Sequence, residues 1–165
     1  MRYINDYHGS AFVSSMMAVG QKSSLSMLMY YEGRPGLYCG LFDEFGKPQK
    51  PYYAFACFRD IRALGNAVDS EDTDFVYSLA STNGTDSAVM LSHFEDNDED
   101  NLYSDIKLSI KDIPNENGIK AQFYLVDKDN DMVLLREEYI SNKDFSLFIK
   151  TRNYSTLLIK FSPIE

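Results

Sequence analysis

The sequence contains no tryptophan and only two cysteines, Cys39 and Cys57. Two cysteines are too few for a disulfide scaffold, and they form no metal-binding pattern. We therefore expect two free thiols in a reducing, cytoplasmic compartment. No apolar run reaches the length of a membrane span, and residues 1–10 lack the apolar region of a secretion signal. The sequence thus predicts neither a membrane partner nor a secretion signal.

Positive charge is also scarce in this chain. The 16 Lys and Arg residues are outnumbered by 25 Asp and Glu residues, which gives a formal net charge of −9. Nucleic-acid binding needs clustered cations that neutralise phosphates, so this balance argues against a nucleic-acid partner. The two histidines, His8 and His93, have no nearby serine or cysteine pattern that would indicate a nucleophile. The residues predict no catalytic group and no cofactor.

The first part of the chain is organised around residues 25–64. Its apolar run Leu25–Tyr31 is typical of a strand buried on both faces, as in a parallel sheet. Prolines then precede a stripe of apolar residues from Ala54 to Leu64, which predicts a helix ending at Gly65. A second helix is predicted over residues 8–20. Residues 1–65 therefore read as helix, strand and helix.

After Gly65 the composition changes to short runs of β-branched and aromatic residues separated by Asn, Asp and Gly. Such runs, at regular spacing, are typical of an antiparallel β-sandwich. We accordingly predict a mainly β fold, with a helix–strand–helix unit at 1–65 and a β-sandwich domain at 66–165. The predicted strands are Phe75–Ala80, Ser87–His93, Leu102–Ile110, Ile119–Val126, Met132–Ile140, Phe145–Lys150 and Ser155–Ser162.

One group of carboxylates follows the spacing of a calcium-binding loop. Asp127, Asp129, Asp131 and Glu138 fall at the ligand positions, but the position that needs glycine for its sharp turn is Met132. The flanking runs also predict strands rather than helices. We interpret the segment as a β-hairpin loop and predict no metal site.

Aromatic residues cluster after the predicted buried strand, at Tyr30, Tyr31, Tyr38 and Phe42. The carboxyl ends of strands in α/β barrels form the face where ligands bind. Flat rings with hydroxyl tips suit sugars, which present C–H faces and hydroxyl edges. The alternative is that these rings belong to the core. Tyr31, Tyr38 and Phe42 are our candidate substrate-binding residues for a carbohydrate ligand.

Several short motifs carry a resemblance to a known family. In chain order they are H-G-S-A-F-V at His8–Val13, M-L-M-Y-Y at Met27–Tyr31, G-L-F-D at Gly40–Asp43, K-P-Y-Y-A-F at Lys50–Phe55, Y-L-V-D at Tyr124–Asp127 and R-E-E at Arg136–Glu138. This order resembles the end of clan A glycoside hydrolases, in particular family thirty-nine β-xylosidases. The resemblance implies that 1–65 is the end of a (β/α)8 barrel and that 66–165 is a C-terminal β-sandwich.

The same resemblance implies that this chain is inactive alone. Such enzymes need two carboxylates about 5 Å apart, and in the family these are glutamates in Asn-Glu and Glu-Trp motifs after the fourth and seventh strands. No Asn-Glu here follows a predicted buried strand, and tryptophan is absent, so no catalytic glutamate carries over. The chain then reads as a C-terminal fragment of a β-xylosidase-like glycoside hydrolase with a structural or accessory role. The alternative is a stand-alone carbohydrate-binding or protein-interaction sandwich.

The predicted barrel strand also implies a partner. Unpaired strand edges recruit other strands, and large exposed apolar surfaces mark interfaces. We expect Leu25–Tyr31 and its flanking helices to contact either the missing barrel portion or further copies of the chain, the latter giving a homodimer or larger assembly. The alternative is that the strand folds back and pairs with the sandwich, which leaves a monomer.

Overall fold

The computed structural model describes residues 4–35, 38–113 and 117–164. Its two helices are α1 (Tyr7–Gln21) and α2 (Lys50–Ala63). α1 begins where the Asp6 side chain accepts a hydrogen bond from the main-chain N–H of His8, 2.9 Å long, as an N-cap residue does. α2 begins with Pro51 in its first turn, where the missing N–H of proline costs no helical hydrogen bond. Both helices were predicted, and both are confirmed.

The rest of the described chain is mainly β. The strands are β1 (Asn66–Val68), β2 (Val76–Thr82), β3 (Ser87–His93), β4 (Tyr103–Ile110), β5 (Ile119–Val126), β6 (Asp131–Ile140), β7 (Phe145–Arg152) and β8 (Ser155–Pro163). They form a six-stranded sheet in the order β1-β2-β3-β8-β5-β6 and a two-stranded sheet of β4 and β7. Every pairing between these strands is antiparallel. The predicted mainly β, antiparallel fold is confirmed.

The main hydrophobic core lies between the two sheets. Ile106 of β4 and Leu147 and Ile149 of β7 meet residues such as Phe123 and Ile159 from the large sheet. Along β4, Ile106, Leu108 and Ile110 alternate with outward-facing residues, as a strand with one buried face requires. The two-stranded sheet therefore covers one face of the six-stranded sheet.

The two helices cover the opposite face of the six-stranded sheet. Cys57 and Ile61 of α2 and Ala18 of α1 pack against Met90 and Leu158. Four buried hydroxyl groups reinforce this contact: those of Ser14 and Ser15 on α1, Ser92 on β3 and Thr156 on β8. The Ser14 Oγ lies 2.7 Å from the Ser92 Oγ and 2.6 Å from the Thr156 Oγ1, and the Ser15 Oγ donates to the Ser92 Oγ at 2.9 Å. Satisfied buried hydroxyls of this kind hold the helices in one position on the sheet.

The predicted buried strand Leu25–Tyr31 is wrong for this structure. The segment forms no strand, and Met27, Met29 and Tyr31 are 72%, 82% and 72% exposed. A strand needs a neighbouring strand to pair with its main chain, and no described strand lies beside this segment. The segment instead crosses the α1–α2 surface as irregular chain. Tyr30 anchors the end of the segment, since its hydroxyl donates to the Cys39 carbonyl at 2.9 Å.

Within the ranges that the structure describes, neither helix is long and apolar enough to cross a membrane. The proposed boundary between residues 65 and 66 stays a prediction; residues on both sides of it contribute to the core under the helices.

Candidate functional site

The candidate sugar-binding residues lie on the long loop between Leu25–Tyr31 and α2. Tyr31 is 72% exposed and Tyr38 is 57% exposed, so both rings offer a free face. Phe42 is half-buried. Its ring lies 5.3 Å from the Tyr52 ring in the first turn of α2, and its main chain bridges to Pro35 and Pro48. Phe42 therefore anchors the loop.

A tight turn shapes the tip of this loop. The Asp43 Oδ1 accepts hydrogen bonds from the main-chain N–H groups of Phe45 at 2.9 Å and Lys47 at 2.8 Å. Gly46 has a φ of +81°, which glycine adopts without steric cost. The turn leaves Phe45 88% exposed, the most exposed of the large apolar side chains described. Phe45 was not predicted as a site residue from the sequence, although Asp43 and Gly46 around it are the residues such turns favour.

The base of the loop is fixed by buried and charged contacts. The Tyr30 ring lies 5.3 Å from the Phe55 ring of α2, and burial raises the pKa of the Tyr30 phenol. The Tyr31–Glu32 peptide bond is cis. The Glu32 Oε2 lies 2.6 Å from the Arg34 Nε. Exposed rings thus stand beside a carboxylate and a guanidinium group, which is a suitable surface for a polyhydroxylated ligand.

Two carboxylates of the loop, Glu32 and Asp43, make separate contacts. Glu32 is paired with Arg34, and the Asp43 carboxylate is engaged by its own turn. The structure describes no hydrogen bond or ion pair between the Glu32 and Asp43 side chains. The described contacts of Glu32 and Asp43 do not bring these two carboxylates to face one bond.

The structure places the carboxylates of the rejected calcium loop in separate contacts. The Asp127 Oδ1 accepts from the main-chain N–H groups of Asp129 and Asn130, at 2.9 and 2.8 Å. The Asp131 Oδ1 lies 2.7 Å from the Lys50 Nζ, and Glu138 pairs with Arg136. β5 and β6 flank the loop as an antiparallel hairpin, as predicted. Among the described residues no group of three or more His, Cys, Asp or Glu side chains is placed to hold a metal ion.

Both histidines contact polar partners. His93 is 1% exposed, and its Nδ1 lies 3.1 Å from the Thr151 hydroxyl; burial lowers the pKa of its imidazole.

His8 lies between two carboxylates, with its Nδ1 3.0 Å from the Asp6 Oδ1 and its Nε2 3.1 Å from the Asp100 Oδ1. The Tyr7 hydroxyl donates to the Asp100 Oδ2 at 2.6 Å. This second group joins the start of α1 to the acidic loop between β3 and β4.

Comparison with solved structures identifies proteins that share this fold. The chain superposes on a glucosidase from Croceicoccus marinus with a TM-score of 0.82 and 14% identity, covering 97% of this chain and 43% of that one. It superposes on a monomeric β-xylosidase from Caulobacter crescentus CB15 with a TM-score of 0.74 and 13% identity, covering 98% and 42%. For a GH39 enzyme from Xanthomonas axonopodis pv. citri the TM-score is 0.70 and the identity 12%, with 97% and 41% covered.

These matches show the fold of the chain and the share of each solved structure that it covers. Nearly the whole chain has the fold of one part of these glycoside hydrolase structures, and it spans about two fifths of their length. At these identities the likeness concerns the fold alone. No protein-family model and no curated protein matches the sequence.

Proposed function

We propose that this chain is the C-terminal part of a carbohydrate-active, β-xylosidase-like glycoside hydrolase. Its role is structural and accessory: the sandwich and the two helices support a barrel that carries the catalytic carboxylates. The observation that carries the proposal is the superposition of 97% of the chain on about two fifths of a glucosidase, with a TM-score of 0.82. The motifs from His8 to Phe55 and from Tyr124 to Glu138 independently favour the same family.

The loop between residues 31 and 45 is the part of the chain that contacts sugar in this proposal. Tyr31 and Tyr38 supply exposed ring faces, and Phe42 holds the loop on α2. Phe45 at the tip adds a further exposed ring. Stacking of sugar C–H faces on such rings supplies apolar contact, and the Tyr hydroxyls supply hydrogen bonds. A loop open to solvent covers only one side of a ligand, so binding to this chain alone should be weak.

We expect this chain not to supply the groups that hydrolysis requires. A retaining mechanism needs an acid/base carboxylate and a nucleophilic carboxylate about 5 Å apart. Two carboxylates of the candidate loop, Glu32 and Asp43, are engaged by Arg34 and by the turn at residues 43–47. We therefore expect no turnover of aryl xylosides or aryl glucosides above the background rate. Turnover that a single carboxylate substitution in this chain abolishes would overturn the proposal.

A titration followed residue by residue tests the binding role. Xylose or xylobiose is added to labelled protein while main-chain amide resonances are followed by NMR. We expect the resonances of residues 30–45 to move first and the Tyr31→Ala, Tyr38→Ala double variant to lose the response. The control is Phe148→Ala, which removes an exposed ring from β7, leaves the loop unchanged and should keep the response.

The alternative function is a stand-alone carbohydrate-binding sandwich, and one observation favours it. On the outer face of the β4–β7 sheet, Tyr103 is 53% exposed and Phe148 is 78% exposed. The Lys150 Nζ lies 4.9 Å from the centre of the Tyr103 ring. Exposed rings on a flat sheet also suit a sugar chain. If the titration moves β4 and β7 and Phe148→Ala abolishes the response, this alternative replaces the loop.

A further inference from the structure

The outer face of the β4–β7 sheet carries cations as well as aromatic rings. Its outward-facing side chains alternate along each strand with side chains that enter the core, such as those of Ile106 and Ile149. We call this surface the outer sheet face. Its residues include Tyr103, Asp105 and Lys107 of β4 and Phe148, Lys150 and Arg152 of β7.

The outer sheet face lies on the side of the molecule that is opposite to the helices. α1 and α2 cover one face of the six-stranded sheet, and Leu25–Tyr31 lies against these helices. The β4–β7 sheet covers the other face. A barrel that contacts the helices and Leu25–Tyr31 therefore leaves the outer sheet face in solvent, and the loop at residues 31–45 is also separate from it.

The lysines of this face differ from others in the chain because no carboxylate neutralises them. The Nζ atoms of Lys22, Lys50 and Lys160 lie 2.6, 2.7 and 2.5 Å from carboxylate oxygens. Within the ranges that the structure describes, Lys107 and Lys150 form no ion pair. In a chain with a formal charge of −9, such a concentration of unneutralised cations favours an anionic ligand at this face.

The one carboxylate among the named residues of the face does not capture its neighbour. Asp105 lies directly opposite Lys150 in the strand register. The Lys150 ammonium instead lies over the Tyr103 ring, 4.9 Å from its centre. The Arg152 guanidinium donates to two uncharged oxygens of residues 100 and 101, at 2.7 and 3.3 Å. Both cations therefore keep their charge available at the surface.

The spacing of the rings indicates the shape of the ligand. Phe148 is 78% exposed and lies opposite Lys107, while Tyr103 is 53% exposed and lies opposite Arg152. Four residues along a strand at about 3.3 Å each separate the two positions by about 13 Å. Each ring thus has a cation beside it, and a ligand that contacts both rings must be extended.

We propose that the outer sheet face binds a linear oligosaccharide that carries carboxylates, as a chain of uronic acids does. The C–H faces of its sugars stack on Phe148 and Tyr103, and its carboxylates pair with Lys107 and Lys150. The choice of a sugar chain rests on the proposed carbohydrate-active function. The choice of this face, and of an acidic sugar, rests on the rings and the unneutralised cations.

A nucleic acid fits the same face less well. It carries a phosphate on every nucleotide and needs a dense cluster of cations. The acidic residues of the loop at 95–100 lie next to the Tyr103 end of the sheet, and Asp112 and Asp144 lie at the other end. These carboxylates repel a densely charged polymer that extends beyond the sheet. A short uronic-acid chain places fewer charges there.

NMR titration with an oligogalacturonate at low ionic strength tests the proposal. We expect the main-chain amide resonances of β4 and β7 to move, and the affinity to fall as salt is added because exposed charges are screened. The methyl-esterified form of the same oligosaccharide keeps the sugar rings and lacks the charges, so it should bind much more weakly. No movement in β4 and β7, or equal binding of the methyl ester, would overturn the proposal. Equal binding of polyglutamate would reduce the site to general attraction of anions and would overturn it as well.

A pair of charge-matched variants tests the location of the site. Lys107→Gln with Lys150→Gln should raise the dissociation constant about 10-fold, since each exposed ion pair contributes modestly. The control is Lys47→Gln with Arg62→Gln, which changes the net charge equally at exposed positions away from the sheet. We expect the control to bind as the parent does. An equal loss in both variants would overturn the assignment to the outer sheet face.

A parallel titration with xylobiose separates this proposal from the proposed function. Phe148→Ala should lose the response of β4 and β7 to oligogalacturonate and keep the response of residues 30–45 to xylobiose. If xylobiose moves residues 30–45 while oligogalacturonate moves nothing, the acidic-sugar site is refuted and the role of the loop stands. If oligogalacturonate moves β4 and β7 while xylobiose moves nothing, the role of the loop is refuted and the acidic-sugar site is supported.

Discussion

The acidic loop between β3 and β4 is held to α1 by Asp100, and removing its charge should weaken the fold measurably. The Asp100 carboxylate accepts a hydrogen bond from the Tyr7 hydroxyl at 2.6 Å, and its other oxygen lies 3.1 Å from the His8 Nε2. Lys128 approaches the same carboxylate at 4.0 Å. The Asp100→Asn change keeps the shape of the side chain and removes its charge. The Arg152 hydrogen bond to the Asp100 main-chain carbonyl is unaffected, because the side chain takes no part in it.

The expected loss follows from these contacts. Hydrogen bonds to a charged group contribute about 1.5–3 kcal/mol each when buried. The Asp100 side chain is 29% exposed, so solvent screening reduces the contribution of each contact. We expect Asp100→Asn to lower the free energy of unfolding by about 1–2 kcal/mol. Asp96→Asn removes the same charge from an exposed position of the same loop and should change it by less than about 0.5 kcal/mol.

The pH dependence of the free energy of unfolding tests whether the Asp100 charge causes this difference. The hydrogen bond from Tyr7 and the nearby His8 hold the pKa of Asp100 below its ordinary value of 3.8. A group whose pKa is lowered by folding stabilises the folded state above its ordinary pKa, and this stabilisation is lost as the pH falls through the folded-state pKa. The difference between the parent and Asp100→Asn should be present above the ordinary pKa of 3.8 and should shrink on acidification below it.

Urea unfolding followed by circular dichroism at a series of pH values measures this difference. Each variant is compared at a concentration where light scattering gives the same association state as the parent, because any association would stabilise the folded chain. Equal unfolding free energies for Asp100→Asn and Asp96→Asn at pH 7 would refute the structural role of the Tyr7–His8–Asp100 contacts. A difference that stays constant down to pH 2 would refute the electrostatic explanation.

Two further predictions concern Gly118 and Cys57. Gly118 has a φ of +110°, and a Cβ there would lie 2.7 Å from the Ile164 Cδ1. Gly118→Ala should therefore lower the free energy of unfolding by about 1–3 kcal/mol. The control Gly33→Ala, whose new Cβ would meet open space, should be nearly neutral. Burial raises the pKa of the Cys57 thiol to about 12. Cys57 should therefore resist a thiol-specific reagent at pH 8 in the folded chain and react after unfolding in urea. Rapid labelling of Cys57 in the native protein would contradict its buried position on α2.

The strands were predictable because their signals are local. Ser87–His93 and Ile119–Val126 match their predicted bounds, and Met132–Ile140 differs from β6 by one residue. Each of these runs carries β-branched or aromatic residues between turn residues, and that pattern depends on few distant contacts. β1 was missed because its three residues, Asn66–Val68, are all exposed and carry no alternation.

The candidate site was predictable only in part, for a different reason. Tyr31 and Tyr38 are exposed, as a binding role requires, while Phe42 packs on Tyr52. An aromatic residue after an apolar run has the same local signal whether its ring faces solvent or core, so exposure could not be deduced from sequence. The contacts of Asp100 with Tyr7 and His8 join residues far apart in the chain, and no periodic pattern in the sequence predicts them.

The Leu25–Tyr31 segment shows how an apolar pattern and an exposed conformation are compatible. Its composition predicts burial on both faces, and the hydrophobic effect still favours that burial. The described chain covers only one side of the segment, with α1, α2 and the groove between them, and places no strand at either edge. In the described chain the predicted buried strand is wrong. The apolar pattern fits a segment that a further surface covers, and in the proposed function this surface is the barrel of the hydrolase.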